Sequence, residues 1–309
     1  MTNSNKISLG WTLPNGPVSV ERRATFVDDI ERGLDLIRGR FEAVWMADHL
    51  EFGEVDMLEG WTGITYFARA YPELLFGHTV ICQSFRNPAL LAKMGATLQF
   101  LTGGRFVMGI GAGWHEPEYR AYGYDFPSPG VRLAQLEETV QIIKAMWSDK
   151  PANFEGQYFT IRDAHCEPQP DPAPPLMIGG RQPRMLRMIA RHADWWDVSG
   201  IRIGLDAYRT AAGEMARACD EIGRDPATLR RSWLSLCICT PTEEEARARA
   251  IAEEFPAGAG FVGTPEQIVD QMRPFIELGV DHFEMACPDP RDLTTLELLC
   301  EKVLPALQS

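Results

Sequence analysis

Basic charge is scarce in this chain: 30 Lys and Arg stand against 43 Asp and Glu, a net charge of −13. That excludes a nucleic-acid binder gripping phosphates through a basic surface. No apolar run approaches the ~18 residues of a membrane-spanning helix. The opening MTNSNKISLGW has neither the basic nor the apolar stretch of a secretory signal. The 7 cysteines are odd in number and irregularly spaced, so they read as reduced thiols and the expected compartment is the cytoplasm. No HxH or HExxH spacing joins the histidines at 49, 78, 115, 165, 192 and 282, so no metal site is expected. Pro (22) and Gly (27) are near ordinary usage, which removes collagen-like and linker-dominated readings. What is present, 45% hydrophobic and 10% aromatic residues, is enough to bury a large core.

Short apolar stretches alternate with amphipathic ones along the whole chain. Strands are predicted over residues 7–13, 42–46, 75–81, 106–110, 176–178, 195–198, 232–239 and 282–285. Helices are predicted over 20–38, 132–147, 182–191, 205–222, 242–254 and 265–278. A further helix opens at Pro88, carries Leu90, Leu91, Met94, Leu98 and Leu101, and ends at Gly103-Gly104. Thr242 with Glu245, and Thr264 with Gln267, have capping-box spacing. About eight strand–helix units with strands buried on both sides predict an α/β fold, a closed (β/α)8 TIM barrel. The alternative is a doubly wound open sheet, but no GxGxxG opens the first strand–helix turn. Residues 148–174 interrupt the rhythm. They read as an insertion between helix 4 and strand 5, with a hairpin over 154–161 and a Pro-rich connector over 167–175, inside one domain spanning 1–309.

In such a barrel, chemistry collects at the C-terminal ends of the strands. Asp48-His49 follows strand two: an imidazole able to give or take a proton, beside a carboxylate able to orient it. Cys82, Ser84 and Arg86 follow strand three. Strand four runs into GIGAGW (residues 109–114), whose alternating glycines let backbone approach a ligand and turn N–H groups toward an anion. Gly179-Gly180-Arg181 after strand five makes a second such nest at a helix start, and Ser199-Gly200 follows strand six. Cys237 and Cys239 share one face of strand seven and read as small core residues, and Trp195 and Trp196 read as core or pocket wall.

Five blocks carry a resemblance: WMADHL (45–50), SFRNPALLAKMGATL (84–98), GGRFVMGIGAGWHEPEYRAYGYDF (103–126), PPLMIGGRQPRMLRMIARHADWWDVSG (174–200) and GTPEQIVDQMRPFIELGVDHF (263–283). Together they resemble the luciferase-like monooxygenase superfamily, and within it the branch of oxidoreductases that use the deazaflavin coenzyme F420. The resemblance implies a flavin or deazaflavin at the C-terminal mouth of the barrel. Thr79, Val80, Ile81 and Cys82 would lie beneath the tricyclic ring, with the Thr79–Val80 peptide cis. Gly111, Ala112 and Gly113 would pass along the ring and ribityl chain. Gly179, Gly180 and Arg181, aided by Ser199 and Gly200, would hold the phosphate.

The resemblance also sets Asp48-His49 in the place of the family's Asp-His pair beside the reactive ring. The expected activity is hydride transfer between coenzyme F420 and a small organic substrate. His49 would exchange the proton, Trp114 would wall the substrate pocket, and Glu116 is a second proton-transfer candidate. Arg181, Arg184, Arg187, Arg191 and Arg202 are candidate cations for the coenzyme's anionic tail. Two departures argue against glucose 6-phosphate as substrate. Trp114 stands where the deazaflavin-dependent glucose-6-phosphate dehydrogenases have a glutamate, and LEFG (50–53) lacks their tryptophan. Gly111-Ala112 in place of luciferase's Cys-Arg argues against light emission. The alternatives are an FMN-dependent monooxygenase fed by a separate reductase, and a non-catalytic flavin-binding barrel. Expected partners are a small-molecule substrate and a second copy of the chain in a homodimer, with no nucleic acid and no membrane.

Overall fold

The strand stretches are rich in β-branched and aromatic residues bounded by turn formers, and in the computed structural model they close on one another. It describes residues 6–17, 19–201, 203–255, 260–287 and 289–309. The barrel strands are β1 (Ser8–Thr12), β2 (Ala43–Met46), β3 (Leu75–His78), β4 (Phe106–Gly111), β5 (Leu176–Gly179), β6 (Trp195–Ser199), β7 (Arg230–Cys239) and β8 (His282–Ala286). Each pairs in parallel with the next, and β8 returns to β1 with Ser8 opposite His282. The (β/α)8 barrel is therefore closed. Its helices are α1 (Phe26–Ile37), α2 (Gly60–Ala68), α3 (Pro88–Thr102), α4 (Pro129–Ser148), α5 (Pro183–His192), α6 (Leu205–Asp220), α7 (Glu243–Ala252) and α8 (Pro265–Glu277). Among the described residues, no helix is long and apolar enough to cross a membrane.

Period-2 alternation divides each strand between two cores. Leu9, Trp11, Val44, Phe76, Met108, Ile178, Trp196 and Phe283 face outward into the main core. Ala43, Trp45, Val107, Met177 and Trp195 face inward and plug the lower barrel. The Trp45 indole donates to His282 Nε2 at 2.9 Å. Gly10 and Gly77 make room for that ring, since a Cβ on either would collide with it. At the very bottom, Arg230 donates to Glu42 Oε1 (2.8 Å) and Asp281 Oδ1 (3.2 Å) while its guanidinium lies 4.0 Å from the centre of the Trp195 ring. Bulk and ionic bonds thus fill the base and leave the mouth to small residues.

Four expectations need correction. The first helix begins at Phe26 rather than at residue 20, after a short 3-10 turn, Val20–Arg22. Val20 is 64% exposed, so the buried stripe starts only at Phe26. Strand three stops at His78, and Ile81–Cys82 forms a separate short strand on β4 beyond the cis Thr79–Val80 peptide. On α3, Leu90 and Leu101 face solvent, while Leu91, Gly95, Leu98 and Thr102 are buried. Gly95 allows that close approach: a Cβ there would sit 2.6 Å from Met108 Cε and 2.9 Å from the Trp147 ring. Finally, the expected periodicity omitted α2, the short helix Glu116–Ala121 and the helical segment after Thr294. The insertion is a hairpin, Ala152–Glu155 against Thr160–Ala164, anchored by Glu138 of α4, which accepts from the N–H groups of Gln157, Tyr158 and Phe159.

Near the mouth the packing is backbone on backbone. A Cβ on Gly109 would run into the carbonyl oxygen of His78 on the adjoining strand. Gly109→Ala is therefore expected to cost about 3 kcal/mol, the upper end for overpacking a rigid core. Gly213→Ala on α6, where nothing lies within 4 Å, should stabilise by roughly 0.5–1 kcal/mol. Urea midpoints of the two variants test this; equal midpoints would refute the close packing of β3 against β4.

Candidate active site

The loop after β2 is pinned by a buried ion pair. Arg86 donates Nη1 to Asp48 Oδ2 at 2.7 Å and Nη2 to Asp48 Oδ1 at 2.8 Å. The same carboxylate accepts the Cys82 N–H at 3.0 Å. Arg86 also reaches Glu59, whose carboxylate caps α2 by accepting from the N–H groups of Trp61 and Thr62. Asp48 thus ties three segments together: its own loop, the Ile81–Cys82 strand and the start of α2.

It does not orient His49, and that expectation is corrected. Asp48 faces Arg86, while His49 turns toward the segment after β4. There His49 Nδ1 lies 3.0 Å from Glu118 Oε1, and Glu118 Oε2 accepts the Leu50 N–H at 2.8 Å. A carboxylate can only accept, so Nδ1 carries the hydrogen and Nε2 is left to exchange a proton. Glu118 is 2% exposed. Glu116, the expected second candidate, faces outward into an exposed ion pair with Arg120. Both glutamates lie in the first turn of the helix Glu116–Ala121, which is too short for periodicity to tell them apart. No local sequence signal separated them: Tyr119 beside Glu118 is fully buried, but Tyr122 in the same segment is exposed.

Around His49 stands an aromatic lip. Its ring centre is 4.6 Å from Phe52 and 5.6 Å from Trp114, and Phe52 is 4.5 Å from His115. Trp114 is 53% exposed, so it presents a face at the rim. Deeper in the mouth, glycines surround Val80. A Cβ on Gly111 would sit 2.6 Å from Val80 Cγ2, and one on Gly179 would sit 3.2 Å from Val80 Cγ1. Gly113 has φ +74°, and a Cβ there would collide with the Tyr119 hydroxyl. Ala112 between them is half-buried. Cys82 lies behind this cradle with its Sγ 2.8 Å from the Tyr119 hydroxyl, and burial pushes its thiol up to about 11, so it is no nucleophile.

The phosphate candidates gather at the start of α5. Gly180 has φ +145° and its N–H bonds the Asp197 carbonyl at 3.0 Å. Arg181 is exposed beside it, and no side chain caps the helix that begins at Pro183. Ser199 is exposed at the end of β6, whereas the Gly200 N–H is spent on the Leu234 carbonyl at 2.7 Å. The basic face is thinner than expected. Arg191 is paired with Glu137 at 2.8 Å, and Arg184 leans on the Gly130 carbonyl at 3.5 Å. Arg202 lies outside the described residues. Beneath the mouth, Thr12 Oγ1, Thr79 Oγ1 and both carboxyl oxygens of Glu284 are buried without a hydrogen-bond partner. A glycine cradle over unpartnered polar atoms fits a flat ring with a polar edge.

Comparison with known proteins bears on the family and the fold. The family of luciferase-like monooxygenases matches residues 38–258. An F420-dependent glucose-6-phosphate dehydrogenase of Amycolatopsis mediterranei is 24% identical over 303 residues, 87% of this chain and 90% of that one. The pyrimidine monooxygenase RutA of Escherichia coli is 31% identical over 176 residues, 56% of this chain and 44% of that one. Among solved structures, an F420-dependent secondary alcohol dehydrogenase with an F420-acetone adduct superposes with a TM-score of 0.84 at 20% identity, covering 98% of this chain and all (100%) of that one. The monooxygenase RslO1 of Streptomyces bottropensis also gives 0.84, at 17% identity, with 97% and 99% of the two chains covered. These two likenesses support the barrel fold.

The ion-pair assignments differ in cost. Asp48→Asn leaves the Arg86 guanidinium with only the more exposed Glu59 as counter-charge and is expected to destabilise by about 3 kcal/mol, the lower end for breaking a buried pair. Glu116→Gln loses only an exposed helical pair and should stay within about 0.5 kcal/mol of the parent. Chemical denaturation of both variants checks this, and similar losses would contradict the division of roles.

Proposed function

Since the chain belongs to the luciferase-like monooxygenase family, we propose that it is an oxidoreductase moving a hydride between bound coenzyme F420 and a small organic substrate. The observation that carries the reading is the His49–Glu118 pair set beside a glycine-lined cradle at the barrel mouth. The deazaflavin ring, when bound, supplies the hydride chemistry. Val80, Gly111, Ala112, Gly113 and Gly179 line the space for the ring. Gly180, Arg181, Ser199 and the α5 start meet the phosphate, as helix starts favour anions. His49 Nε2 takes or gives the substrate proton while Glu118 holds the imidazole in the tautomer that allows it.

The lip sets the substrate class. Phe52 and Trp114 offer apolar faces, and loop 50–58 carries Glu51, Glu54 and Asp56 with no cation of its own, Asp56 being paired with Arg23 and Glu51 and Glu54 left to set the sign of the lip. An anionic phosphosugar would be repelled there, so the substrate is an uncharged organic molecule. The FMN-dependent monooxygenase reading, with reduced flavin from a separate reductase, is favoured by the 31% identity to RutA. Arg181, Arg184 and Arg187 at the α5 start support the deazaflavin, whose tail carries negative charge that FMN lacks.

His49→Ala should keep cofactor binding and lower kcat by about 10²–10⁴, the scale for losing a general acid or base. Glu118→Gln should lower kcat by roughly 10–100-fold with binding retained, since it disturbs the imidazole rather than removing it. Single-turnover kinetics reads both, and an unchanged chemical step in His49→Ala would make His49 structural. Cofactor choice is tested by titrating coenzyme F420 and FMN at low and high salt. Tighter F420 binding that salt weakens, and that Arg184→Glu weakens further, is expected. Tighter FMN binding without a salt effect would favour the monooxygenase.

A further inference from the structure

Beneath the cradle the barrel holds two carboxyl groups that the mechanism above does not use. Asp197 on β6 and Glu284 on β8 both face inward across β7, which lies between their strands. They are 4% and 0% exposed. Ser232 of β7 donates to Asp197 Oδ1 at 3.0 Å, while the Glu284 carboxyl, which faces the hydroxyls of Ser232 and Thr79, closes no well-formed hydrogen bond among the described residues. The pair lies directly under the site. The point a Cβ on Gly179 would occupy is 3.4 Å from Asp197 Oδ2 and 3.2 Å from Val80 Cγ1. The unpartnered hydroxyls of Thr12 and Thr79 belong to the same interior.

Among the described residues, neither carboxyl makes an ion pair that would stabilise its charge. His282, one inward step below Glu284, is occupied by the Trp45 indole, Ser8 and Glu42. Arg230 is likewise engaged with Glu42 and Asp281 at the base. Two carboxylates cannot both ionise in a dry interior without counter-charge. Burial raises both groups above the ordinary carboxylate range, and the charge of Asp197 adds to the rise at Glu284.

We propose that Asp197 and Glu284 share one proton, and that the neutral Glu284 carboxyl is a hydrogen-bond donor in the floor of the ring site, binding the ring's polar edge. The shared proton is a property of this chain alone, whereas the bond to the ring rests on the cofactor reading above. The arrangement explains why a charge-free glycine cradle sits on an acidic floor. A neutral donor there satisfies ring oxygens or nitrogens that a carboxylate would repel.

Two measurements on the full chain decide it. Infrared spectroscopy of the cofactor-free protein at pH 7 should show a protonated-carboxyl band that Glu284→Gln removes. Absence of the band, or its survival in the variant, overturns the shared proton. Coenzyme F420 and FMN are then titrated by absorbance and fluorescence. Glu284→Gln, whose amide still donates, should bind within about 3-fold of the parent. Glu284→Leu should bind about 10-fold more weakly, the worth of one hydrogen bond, and shift the absorption band of the bound ring. Parent-like affinity and spectrum in Glu284→Leu overturn the donor role; Glu284→Met serves the same test should the leucine variant not fold. If neither cofactor binds the parent, the cofactor reading and the donor role fall together, while the infrared band still decides the shared proton.

Discussion

The mouth of this barrel depends on one buried ion pair, Asp48 with Arg86. Each β-strand of a barrel is held by its neighbours, but the loops beyond the strand ends are not, and a site built from loops needs its own fastening. The bidentate guanidinium–carboxylate bond gives a fixed angle as well as attraction. Through the Cys82 N–H it sets the segment that carries Thr79 and Val80, and through Glu59 it sets the start of α2. His49, the next residue after Asp48, then meets Glu118. Positioning of the His49 imidazole is therefore indirect: the ion pair fixes the chain, and the glutamate fixes the ring.

The barrel interior is graded from base to mouth. Tryptophans and an Arg–Glu–Asp cluster fill the base, where closure of β8 on β1 must be made stable. Glycines and threonines occupy the inward positions above them. The trade is physical: small residues give up buried apolar area at the mouth, and the tryptophans below recover it. The polar atoms left over, on Thr12, Thr79 and Glu284, make no hydrogen bond among the described residues. Interiors rarely keep such groups unless something else completes them. The same gradation makes the mouth suited to a flat polar ring and the lip, with Phe52 and Trp114, suited to an apolar substrate.

Much of the fold was legible in the sequence because the signals behind it are local. Apolar stretches at strand length, the Pro88 start and Gly103 stop of α3, and the Thr264–Gln267 capping box all work over a few residues. The eight strand–helix units follow from them. Where the expected helix face failed, on α3, it failed because Gly95 let the helix settle nearer to Met108 and Trp147 than leucine spacing implies. A resemblance spread over five blocks also pointed to the strand ends that carry the site.

Composition and periodicity, then, determined the alternation of elements, the acidic solvent-facing charge and the strand ends on which polar groups would cluster. Tertiary structure alone decided which polar groups meet. Asp48 was expected to serve His49 because the two are adjacent, yet Asp48 is taken by Arg86 and His49 by Glu118. That Glu118 rather than Glu116 reaches the imidazole could not be read beforehand, because a helix of six residues is too short to show a periodic face. Asp197 and Glu284 become neighbours only when β6, β7 and β8 align inside a closed barrel. Side-chain partners depend on distances between strands, and those distances exist only once the barrel has closed.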